Sequence, residues 1–172
     1  MARIPSGRGT ALVQARAGSL ETDVQELINR TTWRPSREAP PQGFVPKRGK
    51  RQFTDLDAVG EHDGTLLLVD TKSYPITLEL NSGVGPEVQE SRRRIEEDSV
   101  KWQGKTRELA LNDPPFNYDF SRYREVVGVV VTPHALFVTD PEVLQFVIVS
   151  PTGVGLRAAS TVGELSRFLA SY

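Results

Sequence analysis

Asp57, Asp70 and Lys72 stand in the order D-x12-D-x-K, and together they could do chemistry that none could do alone. Carboxylate oxygens are hard ligands that suit a hard divalent cation such as magnesium or manganese. A cation held there lowers the pKa of a bound water and stabilises charge on a phosphate under attack. A lysine ammonium beside it orients that water or stabilises the charge that builds in the transition state. Taken singly, the same residues have plainer explanations. Asp55 and Asp57 would be solvent-facing strand residues, and Asp70 with Lys72 an ordinary same-face ion pair. As a set they favour chemistry, because an apolar strand ending in D-x-K beside a strand carrying D-x-D is an improbable accident.

The elements that must position these side chains follow from periodicity. Residues 54–60 and 66–72 read as two strands joined by a hairpin over 61–64, with Asp63-Gly64 at its tip. Alternation places Asp55, Asp57 and Val59 on one face of the first strand, and Leu66, Leu68, Asp70 and Lys72 on one face of the second. The apolar run 66–69 turns abruptly into Asp-Thr-Lys, the mark of a buried strand emerging at a polar site. Asp57, near the middle of one strand, and Asp70, near the end of the next, can then converge. The most basic run of the chain lies just upstream and contains Lys47, Arg48, Lys50 and Arg51. A solvated turn is its plainest reading. A place at the mouth of the site would make these four residues contacts for phosphate.

Around this hairpin, Ser19 is an expected N-cap for a helix through about residue 30, with Leu20, Val24, Leu27 and Ile28 as its apolar stripe. Residues 31–43 are proline-rich and loop-like, and Phe44 and Val45 could begin a strand. Beyond Lys72, Ile76, Leu78 and Leu80 alternate as a further strand. Pro86 then opens a helix to about Leu111, with Val88, Ile95, Trp102 and Leu109 recurring every seven residues. Residues 112–122 form a loop whose Phe116, Tyr118 and Phe120 anchor it to the core in preference to stacking on bases. Residues 126–131 read as a central buried strand and 146–149 as the next. Residues 133–145 are irregular or briefly helical. Thr161 and Glu164 form a capping box opening a last helix, with Val162, Leu165, Phe168 and Leu169 inward. His62, placed in the hairpin turn, and His134 have no partner pattern and read as loop histidines.

With 172 residues, the chain suffices for one domain with a real core, expected over 18–172. Residues 1–17 carry Arg3, Arg8 and Arg16 and read as a flexible basic arm or as the boundary of a longer chain. The net charge of −1 gives no bulk signature of nucleic-acid binding, so any such surface must be local. The absence of cysteine excludes disulfides and zinc–thiolate sites. No stretch approaches a membrane span, and the expected location is cytoplasmic. The element order implies an α/β domain with a mixed central sheet flanked by helices.

The order of Asp57, Asp70 and Lys72, carried on D-L-D-A-V and L-L-L-V-D-T-K-S, resembles the PD-(D/E)xK nuclease superfamily. Its nuclease-related-domain and Mrr-like branches are the most similar. Leu56 stands where that family has proline, and Asp70 where many members have glutamate. The resemblance implies a restriction-endonuclease-like αβββαβ core and magnesium- or manganese-dependent hydrolysis of phosphodiester bonds, with DNA as the expected substrate. It also implies that Asp57, Asp70 and the Thr71 carbonyl hold the metal, and that Lys72 positions the attacking water. Glu21, in the first-helix pattern E-x-x-V-x-x-L-I, would reach the metal directly or through water; Glu26 is the alternative, but its spacing turns it to solvent. Gln103 matches a glutamine that the family carries near the active site in the helix after the D-x-K strand. Relatives of this kind work as homodimers or within larger complexes. A catalytically inactive module that keeps the fold and binds nucleic acid, or assembles with partners, is the competing expectation.

Overall fold

The computed structural model describes residues 7–74, 85–134 and 138–172, with residues 7–17 and Glu87 described by backbone alone. Helix α1 spans Gly7–Asn29. Ser19 therefore lies inside the helix and is not its N-cap. The preceding T-A-L-V-Q-A-R-A is rich in helix formers and lacks proline, so nothing in it stops the helix short of Ser19. Leu20, Val24 and Ile28 are buried as one stripe.

Two short strands, β1 (Lys47–Arg48) and β2 (Arg51–Gln52), form a small antiparallel ribbon of their own. Phe44 and Val45 are not in a strand. Strands β3 (Ala58–His62) and β4 (Thr65–Thr71) make the expected hairpin. Asp63 and Gly64 carry φ of 43° and 73°, the left-handed pair that a two-residue turn matched to strand twist requires. The hairpin is thus tighter than expected, and His62 lies at the end of β3, its ring stacked near Trp33 and Tyr172. The first strand also begins later than expected, because the backbone of Leu56 pairs elsewhere. Leu56 N–H donates to the Phe44 carbonyl and its own carbonyl accepts from Gly43. Asp57 consequently stands just before β3 and not at its middle.

Helix α2 (Pro86–Leu111) carries the chain across one face to β5 (Glu125–Thr132), which pairs parallel with β4. The expected strand through Ile76, Leu78 and Leu80 lies outside the described residues. Beyond a short helix, α3 (Pro141–Leu144), strands β6 (Phe146–Val149) and β7 (Gly155–Arg157) form a separate antiparallel ribbon. The run 146–149 is thus a strand but not the next one of the central sheet. That place is taken by β8 (Ala159–Thr161), parallel to β5, which leads into helix α4 (Val162–Leu169). The capping box of Thr161 and Glu164 is present with both of its hydrogen bonds.

The central sheet is mixed, in the order β3-β4-β5-β8, with helices on both faces. One face buries Leu67, Val69, Val127 and Val129 against α1 and α4. The other buries Leu66, Leu68 and Val130 against Trp102 and Leu109 of α2, with Phe116 and Phe120 anchoring the loop that follows. Each such side chain contributes about 1.5–3 kcal/mol on burial. Close approach of α2 depends on Gly128. A Cβ there would lie 2.2 Å from Thr106 Oγ1 and 3.1 Å from the Trp102 ring. Among the described residues no helix is long and apolar enough to cross a membrane.

Candidate functional site

The parallel pairing of β4 with β5 brings the end of β4 to the margin of the sheet, where Asp70, Thr71 and Lys72 leave the core. Asp57 meets them from the start of β3. The Thr71 N–H donates to Asp57 Oδ2 at 2.7 Å, and the Thr71 hydroxyl donates to the same oxygen at 3.1 Å. The carboxylate thus takes the place of a strand partner at the point where the β3–β4 ladder stops. On the opposite face, Lys72 Nζ donates to Asp70 Oδ1 at 2.9 Å. The two side chains are 32% and 17% exposed, so the pair is reachable from solvent but largely shielded. Among the described residues, Asp57 Oδ1 and Asp70 Oδ2 make no hydrogen bond.

The electrostatics follow from that shielding. Burial raises the Asp57 pKa above the ordinary carboxylate range; the two Thr71 hydrogen bonds oppose the shift and Asp55 adds to it. Burial likewise raises Asp70 against the pull of Lys72, with Asp57 and Asp98 adding repulsion. Burial works against the charge on Lys72, but Asp70 outweighs it and the lysine pKa ends above its ordinary value. Glu21 on α1 belongs to the same field. Its pKa is raised by burial first, then by Asp57, Asp55 and Asp70. The Glu21 side chain is half-buried, whereas Glu26 is exposed and paired with Arg30 at 3.0 Å.

Sequence reasoning passed over Asp98. It projects from α2 and accepts a hydrogen bond from the Tyr74 hydroxyl at 2.7 Å, close enough to Asp70 and Lys72 to act on both. The signal was present in the helix: Asp98 lies three residues after Ile95 and four before Trp102, an acid inside the apolar stripe. A second missed residue is Gln25, whose carboxamide donates to the Val59 carbonyl at 2.9 Å and accepts from its N–H at 2.7 Å. It thereby closes the exposed edge of β3 next to Asp57.

Two groups of expected residues lie elsewhere. Gln103 donates to the Gly128 carbonyl at 2.7 Å and lines a cavity between α2 and β6, not the carboxylates. The basic ribbon packs at the far end of α2. Arg48 is paired there with Glu108, donates to the Pro114 carbonyl at 2.9 Å and lies 4.1 Å from the centre of the Phe116 ring. Glu108 is ten residues beyond Asp98, roughly 15 Å along the helix axis. The ribbon is therefore not at the mouth of the site, and Arg48 is an anchor. Lys50 and Arg51 are exposed and Lys47 is half-buried.

The site fits a divalent cation in the kind of its donors: two shielded carboxylates, each with one uncommitted oxygen and each disfavoured as an anion until a cation arrives. Among the described residues, however, no group of three histidine, cysteine, aspartate or glutamate side chains is gathered closely enough to hold a metal ion. Fold and site together define an α/β protein with a mixed sheet flanked by helices and a carboxylate–lysine constellation at the end of its central strands. The chain matches no family model, no curated protein and no solved structure.

Proposed function

We propose that this chain is a metal-dependent nuclease of the PD-(D/E)xK kind, hydrolysing phosphodiester bonds in DNA. The observation that carries the reading is the convergence of Asp57 and Asp70 across Thr71, with Lys72 held on Asp70. In support of a restriction-endonuclease-like core, an antiparallel hairpin is followed by a crossover helix and a parallel strand. The acids stand where the first two strands meet.

Asp57, Asp70 and the Thr71 carbonyl would hold the cation, with Glu21 completing the set directly or through water. When bound, it acidifies a water and neutralises charge on the phosphate. Thr71 fixes the Asp57 carboxylate through two hydrogen bonds, so its free oxygen is presented without rotamer search. Lys72, kept charged by Asp70, would orient a water whose oxygen bonds to phosphorus as its proton passes to solvent, and would stabilise the negative charge that builds as the P–O bond to the leaving oxygen breaks. The departing oxygen leaves with a proton from solvent. Lys47, Lys50 and Arg51 would meet phosphates about 15 Å away along the substrate, within the span of a few base pairs.

Among the described residues no third acid is closely gathered with Asp57 and Asp70, which favours a second reading, a non-catalytic module on the same scaffold that binds nucleic acid. Incubating circular plasmid and labelled single strands with magnesium, manganese or EDTA, beside Asp70→Ala, separates the two. Metal-dependent nicking that the variant loses supports the nuclease. Binding without cleavage under any metal supports the module.

A further inference from the structure

Phe146 is the least buried aromatic ring for which a floor has been built. The residue is 56% exposed, yet its ring packs closely against Gly155 of the neighbouring strand. A Cβ at position 155 would fall 2.3–2.6 Å from three of the ring atoms, so only glycine leaves room for the ring in this pose. The ring is thus held in place by backbone while much of its surface stays open to solvent.

Two cavities meet at this ring. One, of about 370 Å³, lies between α2 and β6; Ser99, Gln103, Arg107 and Gln145 line it. Ser99 is fully buried, and among the described residues its hydroxyl has no hydrogen-bond partner. The other cavity, of about 410 Å³, is flanked by Arg157 and Arg167. The Arg157 guanidinium lies 5.7 Å from the Phe146 ring centre. Glu164, on the same side, accepts from the Thr161 N–H and hydroxyl through Oε2, while its Oε1 lies 3.8 Å from Arg157 Nη1 as a long, partly exposed ion pair.

An exposed aromatic ring with guanidinium groups lining the cavities on both sides of it matches one chemistry, an unpaired nucleobase with its flanking phosphates. The position agrees. Asp70 is in register with Val130, and Val130 with Ala159, which follows directly on the cavity-lining Ala158. Two strand spacings put the backbone of Ala159, at the margin of the surface, roughly 10 Å from that of Asp70.

We propose that Phe146 is a stacking platform for a base of single-stranded nucleic acid, with Arg107, Arg157 and Arg167 on its phosphates. The proposal rests on the reading of nucleic acid as the substrate and assigns its strandedness near the site. The test is fluorescence anisotropy of the full chain in EDTA, with labelled oligothymidylate of about 12 nucleotides and a duplex of equal length. Phe146→Ala should weaken single-strand binding about fivefold or more and leave duplex binding within about twofold. Phe146→Trp should restore it, and Arg107→Ala should flatten its salt dependence. Circular dichroism confirms that each variant is folded. Unchanged single-strand binding in Phe146→Ala overturns the platform, as does a parent chain that binds neither oligonucleotide. A change in sedimentation without a change in oligonucleotide binding also overturns it, in favour of a protein-contact surface. Single-strand binding that is unchanged in Phe146→Ala, beside plasmid cleavage that depends on Asp70, would refute the platform and leave the nuclease reading standing. Phe146-dependent binding with no cleavage under any metal would do the reverse.

Discussion

The Asp57 carboxylate is tied to Thr71 twice over, at 2.7 Å to the backbone N–H and at 3.1 Å to the hydroxyl. A side chain from just before β3 thereby caps the end of β4 and leaves its second oxygen outside these two bonds. Asp70 and Lys72 emerge at that point. The same contact stabilises the fold and sets the spacing of the acids.

If Lys72 orients the attacking water, Lys72→Ala lowers kcat about 100-fold or more in plasmid cleavage and moves KM little. A variant that cleaves as fast as the parent would remove the role assigned to it.

Asp57 has a folded-state pKa above its ordinary value, chiefly from burial, so the native state holds this proton more tightly than the unfolded chain. Stability then falls as pH rises from the ordinary carboxylate range through the raised value. Asp57→Asn removes that penalty and should melt above the parent at pH 7 without metal, by about 2–4 °C for each kcal/mol relieved. The advantage should vanish below about pH 4, where both states are protonated. Melting curves across pH check both the sign and the window.

A divalent cation relieves the same penalty by another route. Manganese or magnesium at about 100 times its Kd should stabilise the parent by about 2.7 kcal/mol, read as a rise in Tm. Asp57→Asn and Asp70→Asn should each abolish the rise, and Glu21→Gln should reduce it. A shift that survives Asp70→Asn would place the cation elsewhere.

Gln25→Ala strips the β3 edge of the only side chain shown to satisfy both backbone groups of Val59. The loss should cost about 2 kcal/mol in urea unfolding, with an unchanged slope.

Gly128→Ala tests the helix–sheet contact behind the site. Thr106 and Trp102 must give way, at about 1–3 kcal/mol, and α2 carries Asp98 with it. Cleavage should fall along with stability.

Much of the scaffold was legible because its signals are local. Asp63-Gly64 between apolar runs encodes a tight hairpin, the seven-residue spacing of Ile95, Trp102 and Leu109 encodes a helix with one buried stripe, and Thr161 with Glu164 encodes a helix start. The D-x12-D-x-K order likewise marked Asp57, Asp70 and Lys72 as neighbours, because hairpin register follows from turn length. Tertiary structure decided what local sequence does not specify. Pairing of Leu56 with Gly43 and Phe44 delayed β3 and left the Asp57 carboxylate to Thr71. Parallel partners are chosen across long loops, so nothing local made β8 the neighbour of β5 or sent residues 146–149 into a ribbon with Gly155. Arg48 looked free as part of a charge run, yet the packed loop after α2 offered it Glu108 and the Phe116 ring. Asp98 became part of the site only because Gly128 lets α2 lie close to the sheet. Periodicity specifies an element and its buried face. Which elements meet, and which side chains find partners there, depends on contacts between residues far apart in the chain.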